Sequence, residues 1–359
     1  MMPSSESFKF ADMHHQDIVF MQRCFDLARL GAGQVSPNPM VGAVLVYDNR
    51  IIGEGFHRRY GEAHAEVHAV QSVAEADRHL ISKATLYVSL EPCCIFGRTP
   101  PCTDLILAQR IPKVVISCLD QTPGVAGQGV ERLRSQGVEV VVGLLEESGM
   151  QLSRFRNHYV TQERPYVILK FAQTKNGFFG LPGQQFWITH DWSQRLVHKW
   201  RSEVDAILVG ANTARVDDPQ LTNRRYFGKS PLRIVVDRDR TLPPDLHLFD
   251  GVHPTLLVSD VQASQGTATI NVPMIVVDFQ QQWLAALLQY LHQSRITTLL
   301  VEGGAQLLQH FLDQQLWDEA RVLEGGATLS QGILAPRIPG VLIAEHALGK
   351  DSVRCYRNV

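Results

Sequence analysis

Apolar residues recur at helical spacing in "DIVFMQRCFDLARLGAG" (17–33), and the run stops at Gly31, so a helix with a glycine cap is predicted there. "MVGAVLVYDNRIIGEGF" (40–56) reads as two strands around the polar turn Asp48-Asn49. Ala63–Ala76 reads as a helix, and "ATLYVSLEP" (84–92) as an apolar strand ended by Pro92. Residues 101–110 read as a helix with Pro101 in its first turn. "KVVISCLD" (113–120) is a buried strand, "GVERLRSQG" (129–137) a short helix ended by Gly137, and "VEVVVG" (138–143) another strand. This alternation predicts an α/β layer.

The apolar pattern then lapses. "LLEESGMQLSRFRNHYVTQERP" (144–165) is polar and closes at Pro165, so it reads as a linker dividing a domain over 1–150 from one over 151–359. "YVILKFAQT" (166–174) opens a second α/β unit, with "KNG" (175–177) as a hairpin turn. "DAILVG", "LRIVVD", "TLLVS", "PMIVV" and "TTLLV" read as buried strands, alternating with helices at 191–202, 280–293 and 305–316. The halves share a class but no repeat.

Composition narrows the picture. A chain of 359 residues, 45% apolar and 19% charged, can build two globular cores. A net charge of −2 argues against nucleic-acid or membrane-surface partners. No apolar run is long enough to span a bilayer, and the first residues, "MMPSSESFKFADMHHQ", read as a polar tail without a signal-peptide core. Of the six cysteines, Cys24, Cys93, Cys94, Cys102, Cys118 and Cys355, three fall within residues 93–102. That crowding suits metal or thiol chemistry in a reducing, cytoplasmic setting better than disulfides.

"GEAHAEVHAV" (61–70) places His64, Glu66 and His68 at a predicted helix start. Alone it is an ordinary solvated helix face. Pro92-Cys93 and Cys102 on adjoining elements change that. Zinc takes imidazole and thiolate in tetrahedral geometry and keeps one position for water in a catalytic site. His64, Cys93 and Cys102 supply three such ligands, and the macrodipole favours a thiolate at Cys102 in the first turn. Glu66 is then a proton shuttle, not a ligand, and His68 a helix-face residue. His-x-Glu followed by Pro-Cys and a later Cys is the zinc deaminase signature, though the loop between the cysteines is longer than Cys-x-x-Cys. Spacing alone leaves a role for Cys94 open.

With "SPNPMVG" (36–42), "HRRYGEAHAE" (57–66), "LEPC" (90–93) and "GRTPPC" (97–102), the chain resembles the bifunctional deaminase/reductase family of riboflavin biosynthesis. "RPYVILKFAQT", "WIT", "HKWRSEVDAILVGANTARVDDPQLTNR" and "LLVEGGAQLL" extend the resemblance through the second half. It implies a cytidine-deaminase-like α/β/α domain followed by a dihydrofolate-reductase-like α/β domain. It implies one zinc ion per chain and NADPH as cofactors. It also implies a homo-oligomer, dimer or tetramer, acting on a small pyrimidine ribosylamine phosphate. The 2-amino group of the diaminopyrimidinone is hydrolysed, and the ribosyl group is then reduced to ribityl.

The resemblance also assigns roles. His64, Cys93 and Cys102 hold zinc, which lowers the pKa of bound water to about 7, and Glu66 moves the protons. Asn38 contacts the base, His57 and Arg98 lie near the ribose and phosphate, and Asp120 ends a strand at the ligand-binding edge. In the reductase, Gln185, Arg201, Leu221, Arg224 and Glu302 contact substrate. Ala172, Trp187, Thr213, Asp217 and the run Gly304, Ala305, Gln306, Leu307, Leu308, Gln309 and His310 line the NADP site. No Gly-x-Gly-x-x-Gly follows a strand; Gly303-Gly304 before a helix is the alternative phosphate cradle. Lys170 and Asp217 form the polar pair near the reacting carbon.

Three positions depart from the family pattern: Ile95 where it usually has His, Asn176 where it often has Asp, and "EGGATLSQG" (324–332), which follows it loosely. Two other readings compete. A nucleic-acid (tRNA) deaminase with an unrelated second domain would need a basic–aromatic surface, and none is apparent. A catalytically lapsed zinc-binding protein would draw on Ile95 alone.

Overall fold

The computed structural model describes residues 15–263 and 270–358. The first fourteen residues, read as polar tail, lie outside them. The chain divides into two compact units between Thr161 and Gln162.

The first unit runs α1 (His15–Arg29), β1 (Gly42–Tyr47), β2 (Arg50–Phe56), α2 (Ala65–Gln71), β3 (Thr85–Val88), α3 (Cys102–Ala108), β4 (Lys113–Ile116), α4 (Gln128–Ser135), β5 (Glu139–Val142), α5 (Glu146–Leu152) and α6 (Arg154–Gln162). Its five strands pair in the order β2-β1-β3-β4-β5. β1 is antiparallel to β2 and β3, whereas β3, β4 and β5 are parallel. Alternate side chains serve two cores. Ala43, Leu45, Leu86, Val88, Val114 and Ile116 pack with residues of α2, α3 and α4. Val44, Val46, Tyr87 and Val115 pack against α1 and Leu152 of α5 on the other face. Strands buried on both faces read as continuous apolar runs, which is why the sequence shows them, and the α/β/α layering is the expected one.

Glycines in β2 set the height of α2. A Cβ on Gly53 would lie 2.4 Å from the Ala69 carbonyl oxygen, and one on Gly55 2.5 Å from the Ala69 nitrogen. Without side chains there, α2 settles directly on the sheet and carries Glu66 into the interior. The helix expected over 63–76 stops at Gln71, and residues 75–83 tighten into a 3₁₀ turn. The stretch 144–165, read as a linker, is α5 and α6. α6 has no fully buried residue, so helical apolar periodicity is missing from its sequence.

The second unit runs β6 (Tyr166–Thr174), β7 (Phe178–Gly180), α7 (Asp191–Glu203), β8 (Ala206–Gly210), α8 (Ala211–Asp217), β9 (Leu232–Val236), β10 (Thr255–Asp260), β11 (Met274–Val277), α9 (Trp283–Gln293), β12 (Thr298–Val301), α10 (Ala305–Asp313), β13 (Glu319–Gly325), β14 (Ile333–Leu334), β15 (Val341–Leu348) and β16 (Asp351–Arg357). Nine strands pair in the order β11-β10-β9-β8-β12-β6-β13-β16-β15. All neighbours through β13 are parallel, and β16 and β15 join antiparallel at one edge. Leucines of α9 and α10 cover the centre of the sheet with Trp283, Phe311 and Trp317. The Lys175–Gly177 turn joins β6 to β7. Asn176 donates to the Leu329 carbonyl at 2.7 Å, a bond that an ionised aspartate could not make.

Arg233 in β9 is fully buried. It donates to the carbonyls of His247 (2.9 Å), Leu248 (3.1 Å) and His253 (2.7 Å) and to Asp250 (3.0 Å). One guanidinium therefore ties the 247–253 loop to the sheet. Arg233→Met removes the charged donor that these acceptors share and leaves Asp250 without its cation, so it is expected to destabilise the fold by about 3–5 kcal/mol, read as a fall in the urea unfolding midpoint of the full chain.

Candidate active sites

His64 stands at the N-cap of α2, Cys93 in the loop after β3, and Cys102 at the first residue of α3. Their ligand atoms lie within 4.8 Å of one another, the one such group among the described residues. His64 Nδ1 is 3.5 Å from Cys93 Sγ and 3.4 Å from Cys102 Sγ. Zinc–sulfur and zinc–nitrogen bonds of usual length at a tetrahedral angle separate two such ligands by roughly 3.6 Å. One imidazole and two sulfurs at this spacing fit zinc. Cys94 is outside the group.

The Cys102 backbone N–H donates to Cys93 Sγ at 3.3 Å. The first-turn donor of α3 thus serves the sulfur of Cys93 instead of favouring a thiolate at Cys102 itself. The Cys102 contact, and then His64, hold the Cys93 thiol well below its usual range despite burial, while Cys102 is pushed up by that neighbour and by burial.

Glu66 is buried at the same site, and burial, then Cys93, raises its carboxyl above the usual range. A divalent cation on the three donors would oppose that rise. Asn38, His57 and Asp120 join them around a cavity of about 160 Å³. His57 Nδ1 is 3.0 Å from the Ala63 carbonyl, which can only accept, so Nε2 accepts from the Asn38 amide at 3.1 Å. Both ring nitrogens are engaged within the protein, and burial lowers the His57 pKa. His57 lines the cavity and orients Asn38. Arg98 is exposed and stacked on Tyr60, 4.7 Å from its ring centroid, and it does not line this cavity. Ile95 is also exposed and outside it.

Sequence reasoning missed Glu91. Its buried carboxylate accepts four backbone N–H bonds, from Asp120 (3.2 Å), Gly127 (2.9 Å), Gly129 (2.9 Å) and Val130 (3.2 Å). It fixes the Cys93 loop against the Asp120 loop and the start of α4. An acid inside "SLEPC", between an apolar strand and a proline, was the available signal.

In the second unit a cavity of about 640 Å³ opens at the carboxyl ends of β8 and β12. Lys170, Ala172, Gln185, Trp187, Arg201, Thr213, Asp217, Leu221, Arg224 and Glu302 all line it. Trp187 is 68% exposed, so it is not a core tryptophan. Glu302 receives Arg201 at 2.8 Å on each oxygen and Lys170 at 3.6 Å. Burial alone would raise the Glu302 carboxyl, but Arg201 and Lys170 prevail and hold it at about 2. Burial lowers Lys170 and raises Asp217. Asp217 does not cap the loop after α8. Asp218, the next residue, ties the loop after α8 to the 247–253 loop, accepting from the His247 backbone N–H at 2.8 Å and meeting its ring at 2.6 Å.

His198, which the sequence reading passed over, accepts the Arg224 N–H on Nδ1 at 3.0 Å. Burial, then Arg201 and Arg224, bring its pKa down to about 4. It is a neutral ring that holds the loop bearing Arg224.

Residues 304–310 do not line the cavity. Leu307 and Leu308 are core residues, and Gln309 binds Asp313 at 2.7 Å. The turn before them does approach the site. Gly303 and Gly304 have φ values of 155° and 82°, and a Cβ on either would lie 3.3 Å from the Thr213 side chain. This bare backbone at the start of α10, beside Thr213, fits a cofactor phosphate.

Comparison with known proteins agrees with both halves. Residues 14–118 match the cytidine and deoxycytidylate deaminase zinc-binding region, and residues 165–335 match the RibD C-terminal domain. The riboflavin biosynthesis protein RibD of Aquifex aeolicus is 38% identical over 88% of both chains. That of Escherichia coli is 34% identical over 85% of this chain and 86% of its own. The crystal structure of the Thermotoga maritima diaminohydroxyphosphoribosylaminopyrimidine deaminase/5-amino-6-(5-phosphoribosylamino)uracil reductase superposes with a TM-score of 0.88 at 34% identity, covering 96% of this chain and 99% of that one. No described helix is long and apolar enough to cross a membrane. The chain belongs to the RibD family of bifunctional riboflavin-biosynthesis enzymes, with a cytidine-deaminase-like domain followed by a dihydrofolate-reductase-like one.

Proposed function

We propose that the first unit deaminates 2,5-diamino-6-ribosylamino-4(3H)-pyrimidinone 5′-phosphate and that the second reduces the ribosyl group of the product to ribityl. The observation that carries this reading is the convergence of His64, Cys93 and Cys102 beside buried Glu66.

Zinc on the three donors supplies Lewis acidity and lowers the pKa of water that it binds to about 7. Glu66 takes a proton from the attacking water and gives it to a ring nitrogen, then takes the proton remaining on the attacking oxygen and gives it to the departing amine as the carbonyl forms. Burial favours the protonated form of its carboxyl, which helps it to hold the proton between transfers. Asn38, donating its amide to His57, keeps its carbonyl oxygen to accept from the base. Asp120 closes the cavity wall with a hydroxyl acceptor.

NADPH supplies the hydride for the second reaction. The chain's own residues align the reactants and move one proton, since the sugar ring oxygen or imine nitrogen must be protonated. Lys170 and Asp217, both on the cavity lining, fill that role, and desolvation lowers the Lys170 pKa and raises that of Asp217. Arg201 is engaged by Glu302, so Arg224 is the freer cation for a substrate anion. Six free thiols suit a reducing, cytoplasmic setting. The edge strand β15 exposes Val341, Leu342 and Ile343, and such an edge suits pairing with a second copy in a homo-oligomer.

Glu66→Gln is expected to abolish ammonia release, at least a thousandfold by order of magnitude for loss of the proton shuttle. Zinc content and NADPH oxidation with the deaminated substrate should stay at wild-type levels. Loss of both activities in a folded chain would contradict two separate sites. Cys102→Ser is expected to lower zinc below one equivalent by metal analysis and to remove deamination alone.

Acid should weaken the second unit in two stages. His198 has a folded pKa of about 4 against the usual 6.5, so the unfolded chain takes the proton first and stability falls from pH 6.5 towards 4. Glu302 sits at about 2 against 4.5, so its contribution is complete above 4.5 and is lost between 4.5 and 2. Urea midpoints measured against pH should show a shallower upper stage in His198→Gln, with the lower stage kept. An unchanged upper slope would contradict the neutral assignment.

A further inference from the structure

The proposed deaminase substrate carries a 5′-phosphate, and a phosphate is held best by a guanidinium. Arg98 is turned onto Tyr60, outside the cavity. One lysine or arginine among the described residues lines that cavity, Arg156 of α6. It comes from the polar stretch that reads as a linker.

Arg156 is weakly engaged. Its terminal nitrogens reach the Pro37 carbonyl at 3.4 Å and Thr122 Oγ1 at 3.3 Å, both long for a hydrogen bond. Its buried Nε has no partner. Other partly buried arginines differ. Arg201 forms a fork with Glu302 at 2.8 Å on both oxygens, and Arg164 forms one with Asp318 at 2.7 and 2.8 Å. The Tyr159 ring centroid lies 5.8 Å away, and Asp120 is the carboxylate whose charge Arg156 feels. The Asp120 carboxylate already accepts the Thr122 N–H at 2.7 Å. A guanidinium withdrawn from water with donors to spare is costly unless an anion arrives. The cavity, about 160 Å³, holds one heterocycle and little more. A pyrimidine against Glu66 and Asn38 leaves its ribosyl phosphate along the wall that Asp120 and Arg156 form.

We propose that Arg156 is the phosphate-binding residue of the deaminase site, with Asp120 beside it accepting from ribosyl hydroxyls. This rests on the deaminase reading above.

The test compares the full chain with Arg156→Met and Arg156→Lys, using the phosphorylated pyrimidine and its dephosphorylated counterpart. Arg156→Met should raise the deamination KM for the phosphorylated compound about ten- to a hundredfold, the loss of a charged hydrogen bond, and leave the dephosphorylated one nearly unchanged. Arg156→Lys should fall between. Zinc content and NADPH oxidation on the deaminated substrate should match wild type. An unchanged KM overturns the assignment, as does an equal loss on both compounds, which marks a purely structural role. If the wild type deaminates neither compound, the deaminase reading fails first. Calorimetric binding of ribose 5-phosphate then decides the site: one site fewer in Arg156→Met supports it, and equal stoichiometry overturns it.

Discussion

Each unit is organised by a buried carboxylate just past the end of a central strand, engaged wholly by the protein. Glu91 follows β3 and gathers four N–H groups from two loops. Glu302 follows β12 and gathers Arg201 and Lys170. A charge taken out of water is tolerable only with such complete pairing, so each carboxylate dictates where its partners stand. Glu91 sets the Cys93 and Asp120 loops; Glu302 sets the floor of the larger cavity. The reactive acids differ in kind. Glu66, which is buried, and Asp217, which is exposed on the lining of the larger cavity, are not paired in this way, and both carboxyls rise. Glu302 is held ionised by its cations and Glu91 is fixed by its N–H donors, so both hold shape, whereas the other acids are able to carry a proton. Environment, not residue type, separates them.

The same distinction explains what the sequence reveals. Strands buried on both faces, such as β3, β4, β8 and β12, announce themselves as apolar runs. The zinc donors do so because imidazole, thiolates and Pro-Cys have few other reasons to occur together. Glu91, His198 and Arg156 do not, because a buried polar side chain looks like a surface one until its partners are known. β13 is hidden for that reason. Its "EARVLEG" reads as charged, yet Glu319 and Arg321 are buried as a pair at 2.6 Å. α6 is hidden for the opposite reason, since nothing in it is fully buried and no periodicity marks it. The resemblance implies that Arg98 lies near the phosphate, and spacing could not show that its side chain stacks on Tyr60 outside the cavity lining.

Both sites also depend on side chains that are missing. Gly53 and Gly55 lower α2 onto the sheet, and Gly303 and Gly304 leave bare backbone beside Thr213. Backbone held this closely by a packed core has little freedom to shift. Positions that look unremarkable in sequence therefore set the depth at which Glu66 lies and the clearance above α10.

The metal donors are likewise placed by the fold. His64 is followed by Ala65 and Ala69, both in the same core as Val88 before Cys93 and Ile106 after Cys102. Three separately anchored elements meet, and the donors already stand near the spacing that a tetrahedral ion requires. The first-turn N–H of α3 stabilises one sulfur as an anion before any cation arrives. Little chain entropy is left for binding to remove, unlike in small domains that a structural zinc must fold. The cost of assembling the site lies in folding the α/β/α core, so the ion contributes mainly chemistry and the remaining thiol proton must leave when it binds.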